Sequence, residues 1–162
     1  MRKKELRLEY EEYASDGELP ASDAILLTRA REATGDAYAP YSRFRVGAAA
    51  RLANGEVITG SNQENASFPA GICAERTLLS AAASKFPGVG IETLAISYSN
   101  GKGASDRPIS PCGICRQSLQ EAEARTGRPI RLVLGGMEGK VIVLPEAGQL
   151  LPLAFTSGEL GA

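Results

Sequence analysis

Beyond residue 21, apolar positions recur first at helical spacing and then at strand spacing, and the changes of period divide the chain into elements. Ile25, Leu26, Ala30, Ala33 and Ala37 follow Ser22 at helical intervals, which predicts a helix over 22–38 with Ser22 as its cap and Pro40 as its stop. Residues 45–52 read as a strand, Ala53-Asn54-Gly55 as a turn and 56–62 as the returning strand, since Asn-Gly suits the positive φ of a tight hairpin. Residues 63–72 read as a loop. The run CAERTLLSAAASK over 73–85 is rich in helix formers and is stopped by Pro87 and Gly88. A third strand is expected over 91–98, a Gly/Ser loop over 99–108 and a second cysteine-headed helix over 113–125, with Gly127 as its stop. Two further strands, 130–134 and 140–144, flank Gly135-Gly136, and 146–151 reads as a short last helix. The order α-β-β-α-β-α-β-β, without internal repeats, predicts an α/β fold with one mixed sheet covered by helices.

The first 21 residues stand apart. Leu6, Leu8 and Tyr10 alternate with charged residues, a weak strand pattern, before Gly17 and Pro20 break the chain. The expected organisation is an extension over 1–21 and a single domain over 22–162, long enough for its own core. The charged start MRKKELRLEYEEYAS lacks the apolar stretch of a secretory leader, and no segment is long and apolar enough to span a membrane, so a cytoplasmic protein is expected. A net charge of -1 with scattered Lys and Arg argues against binding a nucleic acid polymer.

The chemistry rests on cysteine. The chain has 3 Cys and no His, which excludes Ser-His-Asp and Cys-His triads and leaves only thiolates and carboxylates for a metal site. Cys73 and the Cys112-Gly113-Ile114-Cys115 pair stand at the starts of the two predicted helices, where partial positive charge stabilises thiolates. Three protein ligands leave a tetrahedral metal one open position, the arrangement of catalytic zinc. Each cysteine taken alone reads as a small buried hydrophobe. Together with Glu75 two residues after Cys73, and Pro111 before Cys112, they match the C-x-E…P-C-x-x-C form that characterises zinc deaminases.

The strings AYAPYSRFRVGAA, GSNQENA, GICAERT, ISPCGICRQ and LLPLAF resemble the homotetrameric cytidine deaminase family, in a match that extends from about Tyr38 to Leu160. The resemblance implies a three-layer fold with a five-stranded mixed sheet between helices. It implies Cys73, Cys112 and Cys115 as ligands of Zn2+ and Glu75 as the proton carrier. Phe44 would pack on the pyrimidine, Asn62 and Glu64 would bind the ribose hydroxyls, and the Ala74 N–H would hold the base O2. Backbone groups at Ser110 and Cys112 would face the departing amine. Phe68 and Phe155 would stand near a neighbouring subunit's pocket, in a homotetramer with shared sites. Phe68 occupies a position where the family often has Tyr, and the 99–108 loop looks longer than in compact members.

Three thiolates on Zn2+ carry a net negative charge, which the guanidinium groups of Arg76 and Arg116 would offset by donating to sulfur. The implied reaction is hydrolytic deamination of cytidine or deoxycytidine to uridine or deoxyuridine and ammonia, as in pyrimidine salvage. A deaminase of a modified cytidine or a blasticidin-type nucleoside is the alternative within the same chemistry. A non-catalytic zinc-binding module would need a fourth protein ligand, and a polynucleotide-editing deaminase a His ligand and a basic patch.

Overall fold

A computed structural model describes residues 1–161. Strands β1 (Glu11–Tyr13), β2 (Phe44–Leu52), β3 (Val57–Ser61), β4 (Ile91–Asn100), β5 (Arg131–Gly135) and β6 (Val141–Leu144) form one sheet in the order β1-β6-β5-β4-β2-β3. Only β4 and β5 are parallel, and every other neighbouring pair is antiparallel. Three α-helices cover the sheet: α1 (Ala21–Ala33), α2 (Ala74–Lys85) and α3 (Gly113–Thr126).

Strand alternation sends successive side chains to opposite faces and so to different cores. Ala48, Ala50, Leu94, Ile96, Leu132 and Leu134 pack against Leu78 and Ala82 of α2 and Leu119 of α3. Their sequence neighbours Ala49, Ala95 and Val133 pack instead against Leu26, Leu27 and Ala30 of α1. The central strands are buried on both faces, which yields the three-layer α/β arrangement. Small residues let the layers close. A Cβ on Gly60 of β3 would stand 2.6 Å from the carbonyl oxygen of Ala74 and 2.7 Å from the amide of Leu78. A larger residue there would push the start of α2 off the sheet.

The sheet has six strands where the resemblance implied five. The added strand comes from the N-terminal segment, but at Glu11–Tyr13 rather than at Leu6–Tyr10. Cross-strand partners decide its position: Lys140 pairs with Glu12 at 2.7 Å and Arg131 with Glu11 at 3.4 Å, while Tyr13 packs under α1. Leu6, Leu8 and Tyr10 stay exposed outside any strand. Arg31 of α1 pairs with Asp16 and fixes the turn that follows β1.

Helix α1 starts one residue before Ser22, with Pro20 at the cap position and its carbonyl accepting from Asp23 and Ala24. It ends at Ala33, and a 3-10 turn over Thr34–Asp36 follows. Ile25 is 65% exposed, because Leu26, Leu27, Ala30 and Ala33 form the buried stripe and Ile25 lies outside it. The third strand extends two residues further than expected, to Asn100. Gly127 adopts φ 62 and closes α3, the left-handed stop expected of it. The short helix expected over 146–151 is a 3-10 turn over Ala147–Leu150, and an unexpected further 3-10 turn follows at Ser157–Leu160. Among the described residues no helix is long and apolar enough to cross a membrane.

Glu123, near the end of α3, joins three segments. Its buried carboxylate accepts from the backbone N–H of Ile130 at 2.7 Å, Ala147 at 3.0 Å and Gly148 at 3.0 Å. Burial pushes its carboxyl up, while the three amides favour the ionised form. Glu123→Ala strands the N–H groups of Ile130 and Gly148, whereas Ala147 keeps a bond to the Ile130 carbonyl at 2.9 Å. Urea unfolding should show a loss of about 2–4 kcal/mol, against little change for an exposed helix glutamate such as Glu121→Ala.

Candidate active site

Helices α2 and α3 bring their N-termini together on one side of the sheet. Cys73 and Cys112 are the cap residues, both with extended backbone, and Cys115 lies in the first turn of α3. The Sγ atoms of Cys73 and Cys112 are 3.7 Å apart and those of Cys112 and Cys115 3.4 Å, and all three lie within 4.8 Å of one another. Thiolates on a tetrahedral zinc, each about 2.3 Å from the metal, stand ~3.8 Å apart, so the cluster has the right size for that ion. It is the only such group of metal-ligating side chains among the described residues.

The electrostatics fit a cation. Hydrogen bonding from Cys115 draws the Cys73 thiol down to about 6, and the same contact pushes Cys115 up. Sulfurs this close repel one another when ionised, and a divalent ion is what stabilises full ionisation. Arg76 adds to the lowering at Cys73. Glu75 is only 5% exposed, and desolvation lifts its carboxyl above the ordinary range. A buried carboxylate lifted towards neutrality is suited to carry a proton.

A cavity of 410 Å³ opens onto the cluster and is lined by Phe44, Asn62, Glu64, Phe68, Cys73, Glu75 and Cys112, among others. Phe44 forms its apolar wall and stacks on Tyr98 of β4, with ring centroids 4.9 Å apart and planes 17° from parallel. Asn62 is tied to β2: its Oδ1 accepts from Val46 N–H at 2.7 Å and its Nδ2 donates to the Phe44 carbonyl at 3.0 Å. One N–H and one lone pair of the amide remain for a ligand. Glu64 accepts from the N–H of Tyr41 at 2.8 Å and from that of Ser42 at 3.3 Å. Hydrogen bonding from Ser42 first, and from Tyr41, holds its carboxyl below the usual range, so it stays ionised as an acceptor for hydroxyl groups. Gln63 and Ile72 pair across the base of the 63–72 loop through two backbone bonds, which fixes the chain entering Cys73.

Other expected residues fall elsewhere. Phe68 lies at the cavity rim, 75% exposed, and meets Tyr41 edge-on at 5.9 Å. Phe155 is 58% exposed and lies outside the cavity lining. Arg116 donates to carbonyl oxygens, those of Pro111 at 2.9 Å and Leu150 at 3.0 Å, and so braces the Cys112 turn. Arg76 also lines a larger groove of 720 Å³ on the outer faces of α2 and α3. That groove lacks the cysteines and Glu75, so the smaller cavity is the one equipped for chemistry. Sequence reading missed Tyr98, Val46 and Ile109. Val46 sits two residues from Phe44 on the same face of β2, a spacing that could have identified it.

Three clustered thiols that could hold a metal, beside a buried carboxylate raised by desolvation, are the parts that a metal-dependent hydrolytic centre requires. Residues 20–127 match the family model described as the cytidine and deoxycytidylate deaminase zinc-binding region. The chain is 39% identical over 137 residues to the cytidine deaminase of Halalkalibacterium halodurans, covering 84% of this chain and 96% of the relative. It is 40% identical over 139 residues to the cytidine deaminase of Mycobacterium tuberculosis, covering 84% and 91%. The crystal structure of cytidine deaminase from Burkholderia pseudomallei superposes with a TM-score of 0.70 at 41% identity, covering 81% of this chain and 97% of that one. The chain belongs to the cytidine and deoxycytidylate deaminase family, and its metal is zinc.

Elemental analysis should find about one zinc per chain. Cys115→Ser should lose the metal and lower Tm, because it removes the buried thiol of the cluster. A metal-free preparation with full activity would overturn this assignment.

Proposed function

We propose that the chain hydrolyses cytidine and deoxycytidine to uridine and deoxyuridine with release of ammonia, and that Cys73, Cys112, Cys115 and Glu75 carry the reaction. The observation that carries this reading is a buried carboxylate next to a three-thiolate cluster at the floor of a cavity with separate apolar and hydroxyl-binding walls. Zinc, when bound to the three thiolates, is a Lewis acid that lowers the pKa of water to about 7. Glu75 accepts a proton from the attacking water and delivers it to N3 of the base as the water oxygen adds to C4. Glu75 then takes the remaining proton from the hydroxyl added at C4 and passes it to the amino group, which departs as ammonia as the C4 carbonyl forms. A carboxylate raised by burial serves both transfers, since it regains and returns the proton within one turnover.

Substrate is held by the chain itself. Phe44, supported from behind by Tyr98, packs on the pyrimidine. The N–H of Ala74, in the first turn of α2 where backbone donors have no helical partner, binds the base O2. Asn62 and Glu64 take the ribose hydroxyls, and both are fixed in place by backbone groups before substrate arrives. Arg76 lowers the charge burden of the sulfurs, and Arg116 supports the Cys112 turn.

The assembly is a homotetramer with shared sites, and Phe68 and Phe155 supply walls at the junctions. Two exposed aromatic side chains, one at the cavity rim and one on the C-terminal segment, support this arrangement. Residues 22–162 form the single catalytic domain and 1–21 an extension; Ala162 lies outside the described residues. The protein acts in the cytoplasm, where cysteines stay reduced and able to bind zinc.

Glu75→Gln should keep zinc and fold while lowering kcat about a hundred- to ten-thousand-fold in an ammonia-release assay on cytidine. A kcat within a few-fold of wild type would remove Glu75 from its role. Phe155→Ala should raise the KM for cytidine about ten-fold with zinc content intact. Sedimentation equilibrium of the wild-type protein should give about four chain masses. A fully active monomer would overturn the shared site, and faster turnover of blasticidin S than of cytidine would overturn the substrate.

A further inference from the structure

The C-terminal segment that carries Phe155 is fixed to α3 by polar bonds along its course. Glu123 accepts from the amides of Ala147 and Gly148. Arg116 donates to the carbonyl of Leu150 at 3.0 Å, and Gln117 Nε2 donates to the carbonyl of Phe155 at 2.8 Å. Residues 116, 120 and 123 are spaced four and three apart and share one face of α3, with Gln117 beside it. The segment thus travels back along α3, from the helix end to the start that holds Cys112 and Cys115. The approach is close: a Cβ on Gly148 would stand 2.7 Å from Gln120 Oε1 and 2.8 Å from Glu123 Oε2.

Apolar burial does not hold the outer part of this segment. Leu153 is 94% exposed and adopts φ 58, a left-handed conformation that a branched residue disfavours, and Phe155 is exposed as well. What fixes the backbone around them is the bond from Gln117 on one side and a capping box on the other, where Thr156 N–H donates to Glu159 at 2.6 Å. An exposed aromatic on a backbone held from both sides is preorganised rather than loose. The residue that holds it directly follows Arg116, whose second bond reaches Pro111, immediately before the ligand Cys112.

We propose that Arg116 and Gln117 are positioning residues which lock the C-terminal segment to the helix start carrying Cys112 and Cys115, so that Phe155 is presented at a fixed place to the neighbouring subunit's cavity. The proposal rests on the reading of Phe155 as a substrate wall. Gln117 acts through Phe155 and Arg116 through both the Cys112 turn and Leu150. Charge compensation alone makes a different demand on Arg116, since lysine would satisfy it. A single ammonium cannot reproduce the forked donation to two carbonyls.

The test uses the full-length zinc-loaded protein. In Gln117→Leu, hydrogen exchange followed by mass spectrometry should show the amides of 151–157 exchanging about three- to ten-fold faster, the range expected for one lost hydrogen bond. KM for cytidine should rise by about the same factor while kcat and zinc content hold, and the rise should vanish in a Phe155→Ala background. Arg116→Lys should release zinc to a chelator about ten-fold faster than wild type. Unchanged exchange in Gln117→Leu overturns the tether, and unchanged zinc release in Arg116→Lys returns Arg116 to charge compensation. Faster exchange with an unchanged KM overturns the positioning role if Phe155→Ala alone raises KM. If Phe155→Ala leaves KM unchanged, faster exchange still supports the tether, and the reading of Phe155 is what fails.

Discussion

The convergence of two helix N-termini on three sulfur atoms is the constraint around which the rest of the molecule is arranged. Each start presents unpaired N–H groups and partial positive charge, and each begins with a cysteine at the cap. Sulfurs 3.4 and 3.7 Å apart are too close for three unassisted negative charges. Their approach has to be imposed by the packing of α2 and α3 on one face of the sheet and stabilised by a cation. The sheet fulfils the first condition. Leu78, Ala82 and Leu119 anchor the helices over β2, β4 and β5, and Gly60 lets α2 sit against β3 without an intervening side chain.

Around this junction, the polar groups serve placement as much as chemistry. Asn62 spends two of its hydrogen-bonding sites on β2 and Glu64 accepts from the turn at Tyr41 and Ser42, so that each faces the cavity in one orientation. Such rigidity costs conformational entropy during folding rather than during binding. The contrast between Glu64 and Glu75 shows how environment divides the labour of like groups. The exposed one is held ionised by its donors and suits hydroxyl recognition, whereas the buried one is lifted towards neutrality and suits proton transfer.

The legible part of the sequence was the part governed by local rules. Strand alternation and helical spacing placed α1, α2, α3 and the five inner and edge strands β2 to β6 within a few residues. The cysteines could be grouped because the chain has no His and no other thiol to compete. What stayed hidden depended on partners far away in sequence. Glu123 looks like an ordinary helix glutamate until Ala147 and Gly148 arrive beneath it. Arg116 looks like a counter-charge for the neighbouring thiolates, yet its donors find the carbonyls of Pro111 and Leu150. The N-terminal strand formed at Glu11–Tyr13, where Arg131 and Lys140 wait across the sheet, and not at the better alternating Leu6–Tyr10. Ile25 fits the helical period as well as Leu26 does, and only the position of the sheet decides which is covered.

That short N-terminal strand also bears on how the molecule behaves in a crowd. Its partner β6 is the run Val141-Ile142-Val143-Leu144, wholly apolar and rich in β-branched residues. Left at the edge of the sheet, such a strand offers an open row of backbone donors and acceptors to any passing chain and could template cross-chain pairing. Glu11 and Glu12 occupy that row and put carboxylates at the margin instead. A segment remote in sequence from the three cysteines thereby guards against fibre-like self-association, a form of protection that no catalytic assay would register.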